Sequence, residues 1–154
     1  MLFWLGNITK KGMEAFNIEP TESSPKITLD PANHIFEISG ISRPEDVRDF
    51  YYPVFDWFEK FKTEVIDLKN FIYDKDHPLN FRIKLSYFNS SSAIFLSNLL
   101  TEFNKLQEQG QYVKIYWFFE EDDDDMREAG EELSEMLELT FNYVAVRKKN
   151  FRSF

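Results

Sequence analysis

A chain of 154 residues has room for one domain with a real hydrophobic core, and an 18% aromatic content that includes 17 Phe argues against global disorder. Acidic residues number 27 against 18 basic ones, leaving a formal charge of −9, a field that repels phosphate backbones and anionic membrane surfaces. Cysteine is absent and His34 and His77 are the two histidines, so disulfides, thiolate chemistry and cysteine-ligated zinc are excluded and a multi-histidine metal centre is short of ligands.

No run approaches the ~20 apolar residues that span a bilayer, and residues 1–5 lack the length and basic flank of a signal peptide. A soluble, cytoplasmic protein without a cofactor is expected, with no nucleic-acid partner and no membrane insertion. Residues 1–12 read as an N-terminal extension, 13–146 as a single domain, and 147–154 as a basic, frayed tail.

Along the chain, residues 16–18 and 27–29 predict short strands flanking a turn-rich segment at 19–25. Asp30-Pro31-Ala32-Asn33 predicts a turn, and residues 34–39 a returning strand that ends at Gly40. Ser42-Arg43-Pro44-Glu45 matches a capping box, with Ser42 as the cap and Glu45 reaching back. Val47, Phe50, Tyr51, Val54, Phe58 and Phe61 then follow at helical spacing. Pro53 predicts either a kink or a fresh helix start. The stripe Tyr51, Phe55, Trp57, Phe58 and Phe61 reads as core, and any exposed members as a partner surface.

After a polar loop near 70–78, Leu79, Phe81, Ile83, Leu85 and Tyr87 alternate with polar residues, predicting a strand with one wet face. Leu96, Leu99, Leu100, Phe103 and Leu106 form a helical stripe closed by Gly110. A strand over 112–119, a helix from Met126 to Leu137 and a strand over 141–146 complete the pattern. The resulting expectation is an α/β (α+β mixed) fold. It has a single mixed sheet with N-terminal hairpin strands, a C-terminal parallel β-α-β-α-β unit, and helices mainly on one face.

Two clusters carry polar chemistry. Asn89-Ser90-Ser91-Ser92 sits where a strand hands over to a helix, and its bland reading is an N-cap. Its sharper reading is a phosphorylation switch, because the positive end of a helix tolerates the added phosphate charge. The run 120–125 reads as a solvated turn and an acidic first helical turn. Asp122, Asp123 and Asp124 are the alternative, as weak ligands for Mg²⁺ or Ca²⁺, although the run lacks the Gly and closing Glu of an EF-hand loop. Both clusters follow parallel strands, which predicts that they share one rim of the sheet. There is no Gly-rich phosphate loop, nucleophile elbow or Ser-His-Asp set, so no catalytic residues are assigned. A Mg²⁺-dependent enzyme on the acidic rim is the lowest-ranked alternative.

Residues 16–146 resemble the SiaC family of bacterial regulatory phosphoproteins. The anchors are Pro20-Thr21 through Ser24-Pro25, Ser42-Arg43-Pro44-Glu45, the helix containing Trp57, Tyr87-Phe88-Asn89-Ser90-Ser91-Ser92, and the Trp117 strand running into acidic residues. The resemblance implies a fold similar to STAS-type anti-sigma-factor antagonists and a non-enzymatic switch. It implies a histidine-kinase-like Ser/Thr kinase and a PP2C-type phosphatase as partners, and a diguanylate cyclase activated by the unmodified form. The family phosphosite falls on Ser90, with Asn89, Ser91, Ser92, Ser42, Arg43, Pro44 and Glu45 as the partner- and kinase-facing residues. Two positions depart from the family motif: Ser90 replaces Thr, and Arg43 replaces Tyr. A STAS-like antagonist acting on an anti-sigma-type kinase is the alternative reading.

Overall fold

The computed structural model describes residues 13–151; the expected extension at 1–12 lies outside the described residues. Six strands form one sheet in the order β1 (Phe16–Ile18), β2 (Lys26–Asp30), β3 (Ile35–Ser42), β4 (Leu79–Phe88), β5 (Val113–Glu120) and β6 (Phe141–Val146). The first three are antiparallel hairpin strands, and β3 through β6 are mutually parallel. Helices α1 (Val47–Lys62), α2 (Ser90–Glu108) and α3 (Asp124–Leu137) make the three crossovers. Because each new parallel strand adds beside the last and never reverses direction of growth, right-handed crossovers place all three helices on the same face. The parallel unit therefore begins one strand earlier than the sequence pattern predicts.

The alternation of side chains divides the sheet into a dry and a wetter face. Phe36, Ile38, Leu79, Phe81, Ile83, Leu85, Ile115, Trp117 and Phe141 are buried in one core cluster with residues of the helices. On α1, Tyr51, Val54, Trp57, Phe58 and Phe61 are buried while Tyr52 is exposed, so most of the predicted stripe is core. Phe81 stacks on Phe103 of α2 with ring centroids 4.3 Å apart, and Phe58 meets the same ring edge-on at 4.8 Å. The opposite face carries Glu37, Arg82, Lys84 and Tyr116, with a Lys84–Glu37 pair at 2.8 Å and Arg82 over the Tyr116 ring.

Several local expectations are corrected. Gly40 does not end β3. Its φ of +98° produces a bulge between Gly40 and Ile41, and the strand continues to Ser42. That register shift also reaches β4, where Tyr87 faces outward and Phe88 packs against the core, breaking the alternation expected there. Ser42 is not a helix cap: Asp46 caps α1 by accepting from the Asp49 amide at 3.1 Å. The proline at 44 disfavours helical geometry for Arg43, so the chain stays extended beyond Ser42 and the helix starts later. Pro53 neither starts nor ends a helix. It lies exposed inside α1, where water can satisfy the carbonyl left without a donor. A π-helical turn at Thr63–Asp67 extends α1 and buries Val65. The tail is not wholly frayed, because Lys148–Phe151 forms a short helix, α4, that contacts β5 and buries Phe151.

Candidate functional site

Parallel strands end together, so the C-terminal ends of β3, β4 and β5 share one edge of the sheet. Ser42 ends β3 opposite Phe88, Asn89 follows β4, and Glu120 ends β5. The predicted common rim for the hydroxyl cluster and the acidic run is thus the arrangement observed. The loops continue it: the Glu121 amide bonds to the Val146 carbonyl at 2.8 Å, joining the end of β6 to the same edge.

At the start of α2 the four polar residues divide into distinct roles. Asn89 is the N-cap, its side-chain oxygen accepting from the Ser92 amide at 2.9 Å. Ser90 and Ser91 occupy the first two helical positions and are exposed. Ser92 is 1% exposed, its hydroxyl turned into the protein. Of the three serines, only Ser90 and Ser91 present an oxygen to an enzyme. The first turn contains no acidic residue, so the positive end of the helix is uncompensated by carboxylates of its own.

Beneath this turn lies a group of hydroxyls that joins motifs far apart in sequence. The Ser42 hydroxyl donates to Ser92 Oγ at 2.9 Å and shares a 2.6 Å hydrogen bond with the Tyr51 hydroxyl. The Ser42 carbonyl also accepts from the Asn89 amide at 3.1 Å. Ser42, Asn89 and Ser92 therefore close a ring of three hydrogen bonds, with Tyr51 of α1 attached. Ser42 and Tyr51 are 0% exposed, and burial pushes the Tyr51 phenol up to about 12, with the Ser42 hydrogen bond acting in the opposite direction. The Tyr51 ring stacks on Phe95 of α2 at 5.6 Å, so α1 and α2 are held together directly above the ring. One residue on, the Arg43 amide donates to the Ser23 carbonyl at 2.8 Å, within a turn where Thr21 Oγ1 accepts from the Ser24 amide at 2.9 Å. The turn at 21–24, the Ser42 segment and the Asn89 segment, read separately in the sequence, thus meet in one place.

The remaining expected site residues are more loosely placed. Arg43 and Glu45 are exposed and Pro44 is half-buried, beside the ring but outside it. Asp123 is the N-cap of α3, accepting from the Met126 amide at 3.0 Å; Asp124 lies 3.7 Å from Arg127, and Asp122 is exposed. Among the described residues no group of three or more His, Asp or Glu side chains is arranged to hold a metal ion. Sequence reasoning missed Tyr51 as a polar member of the site. Its helical spacing places it in the core, and the one available hint is a hydroxyl on an otherwise apolar stripe.

Comparison with known proteins finds a family model and solved structures of similar fold. A family model described as SiaC family regulatory phosphoprotein matches residues 18–146. An uncharacterized protein of Pseudomonas aeruginosa (strain UCBPP-PA14) is 26% identical over 123 residues, spanning 80% of this chain and 90% of that protein. The crystal structure of apo-SiaC from Pseudomonas aeruginosa is similar with a TM-score of 0.67 at 26% identity, covering 88% of this chain and 99% of that one. SiaC in the crystal structure of the diguanylate cyclase SiaD in complex with its activator SiaC, from the same organism, is similar with a TM-score of 0.68 at 25% identity. That match covers 84% of this chain and 97% of the other. With the family model spanning most of its length, the chain belongs to the SiaC family of regulatory phosphoproteins.

Proposed function

We propose that this protein is a non-enzymatic switch that binds and activates a diguanylate cyclase in its unmodified form and releases it when Ser90 is phosphorylated. A histidine-kinase-like Ser/Thr kinase adds the phosphate and a PP2C-type phosphatase removes it. The observation that carries the reading is the division of labour at the α2 start: Asn89 caps the helix, Ser90 and Ser91 are exposed in its first turn, and Ser92 is buried, with the family motif pointing to Ser90 of the two exposed serines. The likeness to an activator solved together with its cyclase supports the choice of partner.

The electrostatics give the direction of the switch. A phosphoserine brings about −1.5 to −2 charges to a molecule already at −9. At the helix start the dipole tolerates that charge, so the domain stays folded. Inside an interface an unpaired dianion is costly, so the complex is lost. Arg43, Pro44, Glu45 and Ser91 flank Ser90 on the exposed rim and complete the surface that kinase and partner meet.

The test is affinity capture of the cyclase with Ser90→Ala and Ser90→Asp, together with intact-mass mapping of the phosphopeptide after co-expression with the kinase. Ala is expected to retain the cyclase and Asp to lose at least about tenfold in affinity, the scale set by one buried uncompensated charge. Equal affinity for both variants, or phosphate found away from Ser90, refutes the proposal. Capture of a sigma-factor regulator in place of a cyclase identifies the antagonist reading instead.

A further inference from the structure

We propose that Ser42, Ser92 and Tyr51 are positioning residues for Ser90: a buried chain of hydroxyls that pins the first turn of α2 and sets the geometry in which Ser90 meets a phosphoryl donor. This inference rests on Ser90 being the phosphoacceptor.

First turns of helices fray, because their leading amide groups lack intrahelical partners. Here the turn is fastened from below. In an α-helix two residues turn through roughly 200°, so a residue facing inward at Ser92 aims Ser90 outward. The Ser92 hydroxyl is held by Ser42 at 2.9 Å and its amide by Asn89 at 2.9 Å, while the Asn89 amide is held by the Ser42 carbonyl at 3.1 Å. A hydroxyl has one proton to give. Ser42 gives its proton to Ser92, so the 2.6 Å contact with Tyr51 is a bond that Tyr51 donates. The chain therefore runs from Tyr51 to Ser42 to Ser92, and its direction fixes the orientation of each oxygen, which apolar packing would not do. Stacking of Tyr51 on Phe95 anchors the far end to both helices.

The reaction served by this geometry is in-line transfer from ATP. Ser90 Oγ bonds to the γ-phosphorus as the bond from that phosphorus to the bridging oxygen breaks and ADP leaves; the Ser90 hydroxyl proton passes to a base on the kinase. Such a transfer depends chiefly on the placement of the attacking oxygen, and a displacement near 1 Å is enough to cost about 100-fold. The chain lies under the exposed surface that the kinase touches, so loosening it is expected to lower turnover without altering docking.

Steady-state phosphorylation of the full chain by its kinase, with ATP as donor, tests this. Ser42→Ala is expected to lower kcat about tenfold with KM for the protein unchanged. Tyr51→Phe keeps the volume and one of the two side-chain bonds, and is expected to lower kcat by a smaller factor, about threefold. Amide hydrogen exchange over residues 90–93 is expected to rise in the same order. Ile83→Val, a buried change on β4 away from this turn, is the control for stability alone and is expected to leave kcat unchanged. If Ser42→Ala does not fold, Tyr51→Phe with its exchange pattern decides. Wild-type kinetics in both variants, or an equal fall in the control, overturns the positioning role while leaving Ser90 as acceptor. Wild-type protein that takes no phosphate on Ser90 overturns both readings.

Discussion

Replacing Gly130 with alanine is expected to destabilise the protein, opposite to what helix propensity dictates. Gly130 lies inside α3, where glycine costs about 1 kcal/mol relative to alanine, so an exposed position would gain from the change. Here an added Cβ would stand 2.5 Å from Trp117 Nε1 and 2.7 Å from two further indole atoms. The ring has little freedom to retreat. It is 0% exposed, stacks on Phe141 at 5.7 Å, meets Phe88 edge-on at 6.0 Å, and donates to the Met126 carbonyl at 3.0 Å. Overpacking of this kind costs about 1–3 kcal/mol, and a ring pushed off the Met126 carbonyl adds about 1–3 kcal/mol for an orphaned buried donor. After subtraction of the propensity gain, a net loss of about 3 kcal/mol is expected. Urea unfolding followed by circular dichroism reads this as a lower midpoint at unchanged slope. The same substitution in a Trp117→Phe background is expected to lose most of its penalty. An unchanged or raised midpoint for Gly130→Ala alone, or an equal penalty in both backgrounds, refutes the reasoning. Because Phe88 immediately precedes Asn89, a displaced indole would also disturb the approach to the first turn of α2.

Three further outcomes follow from buried and paired groups. The ordinary tyrosine value is 10.0 and burial holds Tyr51 protonated to about 12. Its contribution is therefore complete below pH 10 and is lost as pH rises to 12, by an amount on the order of 3 kcal/mol; Tyr51→Phe should flatten that part of a stability–pH curve, and parallel curves would contradict it. Tyr73→Phe should leave stability unchanged or raise it by about 1 kcal/mol, since the Tyr73 hydroxyl is buried without a hydrogen-bond partner among the described residues; a measured loss above about 1 kcal/mol would show that the hydroxyl is satisfied. Burial works against the Glu102 charge, yet Lys62 at 2.9 Å and Lys105 at 3.1 Å outweigh it and hold its carboxyl below the ordinary 4.5. Stability from this cluster is present above that value and lost as pH falls through the lowered one, so Glu102→Gln should cost about 1 kcal/mol or less at neutral pH, with solvent screening, and nothing in strong acid. Equal costs at both pH values would count against the pairing.

Local pattern carried much of this protein into view. The alternation from Leu79 to Leu85 reports which side chains face the helices, because a strand has a period of two wherever it is regular. The Asn89 cap was legible because a cap bonds an amide only three residues away. The exposed position of Ser90, after a strand and at the start of a helix, was legible from the same local pattern. What the tertiary structure decided are relations between distant residues. Ser42 follows a capping-box pattern, yet its hydroxyl finds partners 9 and 50 residues away, because the bulge at Gly40 carries β3 past the expected end and lays Ser42 beside Phe88. Gly130 looks like a flaw in a helix until Trp117 is seen to fill the space above it. Phe151 sits in a tail that reads as polar, and is buried by contact with a strand formed some thirty residues earlier. Short-range spacing therefore determined the main elements and the Asn89 cap, and it singled out Ser90 as a candidate. Only chain-distant packing, where buried hydroxyls must find partners wherever the fold brings them, decided how the first turn of α2 is held.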